Sequence, residues 1–549
     1  MKNNQNNIII NQSKTELDNF YKNKFKVHLN RILFIFIIIF FLIILYSTRI
    51  IYLSTKTLKN NNYEINAINR ADITDRHGNY ISKSVFTTNI GIDPKLIKDK
   101  KKLLVKLQYS FPNKNLDDLK KKIYGKSFFY VEKKVSPDRY DKIKLLGEKS
   151  IRIEKKISRI YPDKNLFSHV LGQIDEDNNG ISGIEKSFDK QLKLKKNNLI
   201  LTLDKDLQFI IRNELVNAQK IFNNVGGAGI LMNIDNGEIL SLVSLPDFDL
   251  NKRENISDVN FINRATKGVY ELGSVFKSFT IAAGLDYGLI KPKDMFFNLK
   301  KKMKCGGRTI SEYDENLPND LSVEDILIHS SNIGSVKISQ IIGEEKLKQF
   351  LEKIGILKKL NFDIDEIGTP ISFKWRECKL KTISYGHGIT TTPIQLAKGY
   401  AILANGGYDV NPTLVKRNII QKKKRILSKN VSSQINQMFR KVVKYGTATL
   451  SDVEGYEVGG KTGTAQIVKN GSYTNKKINT FASVFPSSNP KYVLIVLLED
   501  TKLSKNYVYK YRNKPGTFKG TPFNTAGWTS VEVSGKIIDK IGPILATKY

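Results

Sequence analysis

Cysteine is almost absent from this 549-residue chain, with Cys305 and Cys378 its only two. Two thiols cannot build a disulfide framework, and neither belongs to a CxxC or to a Cys/His group of zinc-like spacing. They allow one bridge, and the sequence leaves open whether they form it. Histidine is nearly as scarce: His28, His77, His169, His329 and His387 stand singly, without HExxH and without a pair at helical spacing. No protein-ligated catalytic metal is expected from that pattern. Acidic residues are also few, 53 Asp and Glu against 89 Lys and Arg, for a formal net charge of +36. Such an excess invites a nucleic-acid reading, but the lysine runs at 100–102, 120–122, 195–196, 300–302 and 422–424 are dispersed and not interleaved with aromatics. No nucleic-acid module signature accompanies them. The excess reads as a Lys-rich surface facing acidic polymers or lipid headgroups, with no nucleic acid as partner.

What the chain does have is apolar material, 40% hydrophobic and 10% aromatic residues, enough for a sizeable core. Its length gives two to four domains at roughly 150 residues each. From Ile32 to Thr48 the run ILFIFIIIFFLIILYST carries no charge, and beyond Arg49 the apolar character resumes through Leu53. That is about the length that crosses a bilayer core of roughly 30 Å. A buried core helix would show a polar face, and a cleaved signal would show a shorter core with a small-residue cleavage site. Lys2, Lys14, Lys22, Lys24, Lys26 and Arg31 against Glu16 and Asp18 place residues 1–31 in the cytoplasm by the positive-inside rule. The expected layout is a cytoplasmic tail (1–31), a transmembrane helix (32–53), and everything after it outside the cytoplasmic membrane.

Residues 54–199 read as short strands and Lys-rich helices, including a helical stretch near 94–125, with no acid-base constellation. They are assigned to a non-catalytic pedestal. From 200 the pattern changes. A strand-like LILTLD leads into an amphipathic helix near 205–222. Two apolar runs, 226–235 and 237–244, then meet at Asn236-Gly237, a strong hairpin signal. Three more strand-like runs at 457–468, 480–488 and 492–500 precede a closing helix near 526–543. Strands at both ends enclosing helices point to one antiparallel sheet assembled from distant segments, an α+β layout.

Three short motifs in this region carry chemistry. In YELGSVFKSF (270–279) Ser274 sits where a Gly-led turn enters a helix, with Lys277 one turn on and on the same face. A serine hydroxyl becomes a useful nucleophile when a desolvated lysine takes its proton. The spacing alone is unspecific, since Ser187 with Lys190 and Ser488 with Lys491 repeat it. Ser330-Ser331-Asn332, read as a second helix start, offers a hydroxyl at Ser330 to relay a proton and an amide at Asn332 to hold a substrate. Lys461-Thr462-Gly463-Thr464 lies in a strand pattern. There a cation and hydroxyls can bind a carboxylate, and Gly463 would let a substrate backbone lie against the strand.

In that order and on those elements, behind a single anchor, the trio resembles the penicillin-binding protein and serine β-lactamase superfamily. The resemblance continues through ADITDRHGNYIS (71–82), HVLGQIDEDNNGISGIEKSFDKQL (169–192), SLPDFDLN (244–251), SYGHGITTTPIQLAKGYAILANGG (384–407) and PFNTAGWTSVEVSGKII (522–538). With no glycosyltransferase-like region ahead of it, the chain looks like a class B penicillin-binding protein, and no appended repeat domain is found after Tyr549. Leu272 stands where many relatives have Pro. The Glu-x-x-Leu-Asn pattern of class A β-lactamases is missing.

The resemblance implies a fold of anchor, elongated pedestal (54–199) and transpeptidase domain (200–549). It implies a peptidoglycan D,D-transpeptidase in which Ser274 attacks the penultimate D-Ala carbonyl and Lys277 takes its proton. Backbone N–H groups of Ser274 and Thr464 form the oxyanion hole. Ser330 protonates the leaving D-Ala, Asn332 orients the peptide, and Lys461, Thr462 and Thr464 hold the terminal carboxylate. It implies no cofactor, stem peptides as substrate, and β-lactams as covalent inhibitors. A division role is favoured over elongation by the tail, the modest loops and the GWTS segment. A polytopic glycan polymerase and other divisome membrane proteins are then the partners. Water in place of an amine, as in a D,D-carboxypeptidase or a β-lactamase, stays open.

Overall fold

The computed structural model describes residues 30–54, 70–135, 137–194, 197–252, 261–417, 424–469, 471–511 and 515–549. The expected cytoplasmic tail up to residue 29, residues 55–69 at the start of the expected pedestal, and the lysines at 195–196 and 422–423 lie outside them.

Helix α1 (Asn30–Ser54) carries the apolar run; an 18-residue stretch of its 25 residues has a mean hydropathy of 2.6, and no part of that stretch is buried by protein. At 1.5 Å per residue it is about 37 Å long, enough for a hydrocarbon core of roughly 30 Å. The Thr48 hydroxyl donates back to the Ile44 carbonyl at 3.0 Å, which satisfies a polar group inside an apolar helix. A helix with so long an apolar run, exposed all round, has the character of a membrane anchor.

Residues 70–549 form a second unit. Its first part is built on β1 (Ile73–Thr74) and the long β2 (Tyr80–Ile92), followed by α2 (Lys100–Ser110), α3 (Leu116–Tyr124), β3 (Phe129–Val135), α4 (Pro137–Lys144) and β4 (Ile151–Ile160). Three short helices, α5 (Ser168–Leu171), α6 (Gly183–Ser187) and α7 (Asp189–Leu194), lead to β5 (Leu199–Ile200). β2 pairs antiparallel with β1, β3 and β4, and β1 pairs in parallel with β5. The expected single helical stretch near 94–125 is two helices. Pro112 follows the end of α2, where it cannot continue the helix, and the Asn115 side chain caps α3 by accepting from Asp117 and Asp118. Ile90, Ile92, Leu103, Leu107, Phe111 and Ile123 form a small separate core.

A buried ionic knot ties this part together. Arg70 Nε lies 2.6 Å from Glu185 Oε2 and its Nη1 2.6 Å from Asp189 Oδ1, while Arg159 Nε lies 2.8 Å from Glu185 Oε1. The side chains of Arg70, Arg159 and Glu185 are wholly inaccessible to solvent. Burial works against the charged guanidinium of Arg70, yet Glu185 and Asp189 hold its pKa above the usual value.

The second part opens with α8 (Lys205–Phe222). Asp204 caps it by accepting from Asp206 and Leu207, and Leu207, Ile211, Leu215 and Phe222 bury one face. β6 (Gly226–Asn233) and β7 (Ile239–Leu245) make the expected hairpin with a longer connection. The strands stop at Asn233 and resume at Ile239, with Asn236-Gly237 inside the loop. A helical block follows: α9 (Lys277–Asp286), β8 (Met295–Phe296), β9 (Lys302–Cys305), β10 (Arg308–Ser311), β11 (Leu321–Ser322), α10 (Val323–Ile328), α11 (Asn332–Ile342), α12 (Glu344–Lys353), α13 (Glu377–Ile383), α14 (Pro393–Ala404) and α15 (Lys429–Tyr445). The chain returns as β12 (Gly459–Lys469), β13 (Ser472–Phe485) and β14 (Tyr492–Glu499), then the hairpin of β15 (Val508–Lys510) and β16 (Thr517–Lys519). α16 (Ser530–Lys548) closes it, starting later than expected because Ala526–Trp528 is a 3-10 turn.

The main sheet runs β12-β13-β14-β6-β7, every neighbour antiparallel, so strands from the two ends of the domain meet at β14 and β6. Helices α8, α14 and α16 pack on it, which is why β6 and β14 are buried almost throughout and read as continuous apolar runs. This is the α+β architecture expected from the sequence. Strand β12 is an edge, and its neighbour beyond the sheet is the 3-10 turn Gly273–Phe276. Cys305 on β9 and Cys378 on α13 are joined in a disulfide, with Cα atoms 5.6 Å apart.

Candidate active site

Ser274 lies in the 3-10 turn that feeds α9, and Lys277 is the first residue of that helix. Gly273 makes the turn possible: its φ is +62°, and a Cβ there would meet the Thr464 carbonyl at 2.7 Å. Leu272 has φ −104°, outside the range proline would impose, and its buried side chain helps anchor the turn. Gly463 serves a different purpose from the one expected. A Cβ at Gly463 would come 2.1 Å from the Leu272 carbonyl, so the space it leaves is filled by the protein's own backbone, not by substrate. β12 is thereby pressed against the turn that carries Ser274.

Lys277 Nζ is 3.0 Å from Ser274 Oγ and 3.0 Å from Ser330 Oγ, and it donates to the Ser330 carbonyl at 2.5 Å. Lys461 Nζ reaches the same Ser330 Oγ at 2.9 Å and the Thr462 hydroxyl at 3.2 Å. A continuous chain runs from Ser274 through Lys277 and Ser330 to Lys461 and Thr462. Ser330 is not in a helix. It sits between α10 and α11 with φ +62°, a left-handed conformation that costs a serine free energy, and in it both its carbonyl and its hydroxyl meet Lys277. The helix begins at Asn332, capped by Ser331, whose hydroxyl accepts from Gly334 N–H at 2.9 Å.

Both lysines are fully buried. Burial pushes the pKa of Lys277 down to about 7, partly opposed by the carboxylate of Glu312. Burial, then repulsion from Lys277, hold Lys461 well below the usual lysine value. A lysine that is half neutral near pH 7 is suited to take a proton from Ser274.

The remaining expected residues lie on the rim of this chain. Asn332 Nδ2 donates to the Ser311 carbonyl at 2.8 Å. The Thr462 hydroxyl also pairs with Thr447 at 2.7 Å. The Thr464 hydroxyl donates to Asn479 Oδ1 at 3.1 Å and accepts from Ala526 N–H at 3.0 Å, so it must turn to donate to a ligand carboxylate. Glu312, Thr447 and Asn479 escaped the sequence reading. No motif marks them; Glu312 is one of three acids in SEYDE (311–315). A cavity lined by Ser168, His169, Phe248, Asn263 and Glu366 lies elsewhere and holds none of the trio. His169, its pKa pushed down by burial to about 4, donates there from Nε2 to the Pro246 carbonyl at 2.9 Å.

A tight turn presenting a serine to a desolvated lysine, with a second hydroxyl and a second lysine in line, defines a serine acyl transferase of the lysine-activated kind. Comparison with known proteins agrees. Residues 227–519 match the penicillin binding protein transpeptidase domain family, and residues 65–221 match the penicillin-binding protein dimerisation domain. The chain belongs to the penicillin-binding protein transpeptidase family and, with both domains present, is a class B penicillin-binding protein. It is 28% identical over 498 residues to the probable peptidoglycan D,D-transpeptidase FtsI of Caulobacter vibrioides, covering 87% of this chain and 82% of that one. It is 27% identical to the Escherichia coli peptidoglycan D,D-transpeptidase FtsI, covering 80% of each. It is 29% identical to stage V sporulation protein D of Bacillus subtilis, covering 79% of this chain and 74% of that one. Among solved structures a peptidoglycan synthetase from Bifidobacterium adolescentis shares the fold, with a TM-score of 0.65 and 19% identity over 87% of this chain and 96% of that one.

Proposed function

We propose that this protein, a penicillin-sensitive peptidoglycan D,D-transpeptidase, cross-links stem peptides at the division septum, anchored by α1 with residues 54–549 outside the cytoplasmic membrane. The observation that carries the chemistry is the Ser274–Lys277–Ser330–Lys461 chain, with three of its contacts between 2.9 and 3.0 Å. Ser274 Oγ attacks the penultimate D-Ala carbonyl as neutral Lys277 takes its proton. Ser330 Oγ, between the two lysines, passes a proton to the departing D-Ala amine. The N–H groups of Ser274 and Thr464, on the turn and the strand that Gly273 and Gly463 bring together, stabilise the oxyanion. Lys461, Thr462 and Thr464 hold the terminal carboxylate and Asn332 the peptide. An amine of a second stem peptide then displaces Ser274.

The septal role is supported by the tail and GWTS segment of the sequence and by the FtsI names of two relatives. The polymerase and other divisome proteins are the partners it implies. The Cys305–Cys378 disulfide is what a compartment outside the cytoplasm permits, which agrees with the positive-inside orientation. The test is the intact mass of the full chain in detergent after incubation with a penicillin. A stable adduct on the wild type, absent in Ser274→Ala, is the expected result. A folded wild type that turns the drug over rapidly would make it a hydrolase, and no adduct at any dose would remove the acyl-enzyme. A fluorescent fusion spread along the lateral wall, with no mid-cell enrichment, would replace the septal role with elongation.

A further inference from the structure

The two buried lysines need a negative charge nearby, and the motif trio contains none. The structure supplies one from outside it. Glu312 follows β10, where its own N–H donates to the Lys301 carbonyl at 3.0 Å. Its carboxylate is buried and accepts three hydrogen bonds from the start of α11: Ser331 Oγ at 2.5 Å, Asn332 N–H at 2.7 Å and Ile333 N–H at 3.0 Å. One residue back, the Ser311 carbonyl takes the Asn332 side chain. The β9–β10 hairpin therefore grips the residues that directly follow Ser330, and the hairpin is itself fastened to α13 by the Cys305–Cys378 bridge. Among the described residues, Glu312 is the carboxylate that favours the charged form of Lys277, and Lys277 in turn disfavours that of Lys461, whose Nζ shares the Ser330 hydroxyl with it.

We propose that Glu312 is a positioning residue of this active site, holding the Ser330–Asn332 turn in its left-handed form and serving as a counter-charge to Lys277. The proposal rests on the transpeptidase reading above and adds to it the residue that sets the turn and the protonation of the base. A carboxylate at a helix N-terminus could be a cap and nothing more. What separates the two roles is reach: a cap stabilises α11, whereas a counter-charge also decides how readily Lys277 gives up its proton.

The test is the pH profile of acylation of the full chain in detergent by a fluorescent penicillin, read as a second-order rate constant, for the wild type, Glu312→Gln, Glu312→Asp and Ser331→Ala. Removing the negative charge makes Lys277 easier to deprotonate. The acid limb of the Glu312→Gln profile is expected to move at least about half a pH unit lower, while its plateau falls about tenfold because the turn loosens. Glu312→Asp keeps the charge and is expected to keep the limb within the wild-type position, at a reduced plateau. Ser331→Ala removes a hydrogen bond and no charge, so its plateau drops without a shift of the limb. A folded Glu312→Gln with an unmoved limb, or a limb that shifts as much in Glu312→Asp or Ser331→Ala, would reduce Glu312 to a cap. If Glu312→Gln does not fold, Glu312→Ser and Glu312→Ala, which likewise remove the charge, are read against Glu312→Asp for the same shift of the limb. A wild type that penicillin does not acylate would instead overturn the transpeptidase reading itself.

Discussion

In the part of the chain that matches the dimerisation domain, Arg70 and Arg159 are buried against Glu185 and Asp189. In the candidate active site, Lys277 and Lys461 are buried with Glu312 as the carboxylate that bears on Lys277. The first knot has a carboxylate for each cation and keeps its guanidinium groups charged. The second has too little negative charge, and its lysines give up protons instead. The same desolvation produces a structural tie where it is matched and a base where it is not. Side-chain choice follows: arginine stays charged and binds carboxylates as a fork, whereas lysine shifts its pKa readily when buried.

The sharpest way to break this comparison is to delete a cation from the under-matched site. Lys277→Met should lower penicillin acylation by about a thousandfold, and the folded protein should gain on the order of 1–3 kcal/mol in urea unfolding. The pH dependence has a definite sign. Lys277 has a pKa of about 7 in the folded chain, below that of an unfolded lysine. The unfolded chain therefore binds more protons between that value and about 10.4, and wild-type stability rises with pH across the window. The gain from Lys277→Met is thus full below about pH 7 and fades towards about 10.4. Wild-type acylation should rise through pH 7 for the same reason. A Met variant that is destabilised at pH 6 would sink the idea of an under-matched charge.

Removing charge from the matched knot should do the opposite. Glu185→Gln leaves two buried guanidinium groups short of a partner and should cost about 3–5 kcal/mol, measured by urea unfolding. The acid limb of acylation should stay in place at temperatures where the variant is folded. A shift of that limb would mean the pedestal and the site are coupled electrostatically. A smaller loss of stability than at Glu185 is expected at the bridge. Cys378→Ser opens a loop spanning 73 positions and should cost about 2–4 kcal/mol, with a two- to threefold slower acylation as the hairpin bearing Glu312 loosens. Equal acylation in the variant and the wild type would show that the hairpin holds its place without the bridge.

Much of this was legible in the chain itself, because the signals were local. The apolar run of α1, the amphipathic face of α8 and the apolar strands β6 and β14 each follow from periodicity or its absence. The trio could be read because catalysis fixes short spacings, and its order fixed the family resemblance. Boundaries were less legible: the hairpin at Asn236-Gly237 has a longer loop, and α16 starts four residues late, since caps and turns depend on long-range partners. Gly463 was misread for that reason. Its lack of a side chain makes room for the Leu272 carbonyl, a contact between residues 191 apart in sequence. Glu312 left no mark, because a single acid in an acidic, polar segment looks the same whether it faces water or a helix N-terminus.

The sequence by itself determined the apolar helix, the α+β layering and the one-turn pairing of Ser274 with Lys277, because hydrophobic pattern and short spacing act over a few residues. Only the tertiary structure decided that Cys305 meets Cys378, that Ser330 stands in a left-handed turn between two lysines, and that the buried Glu312 carboxylate grips the residues after it. Those facts depend on which distant segments share a low-dielectric interior, where a charge is felt strongly and no water replaces a missing partner.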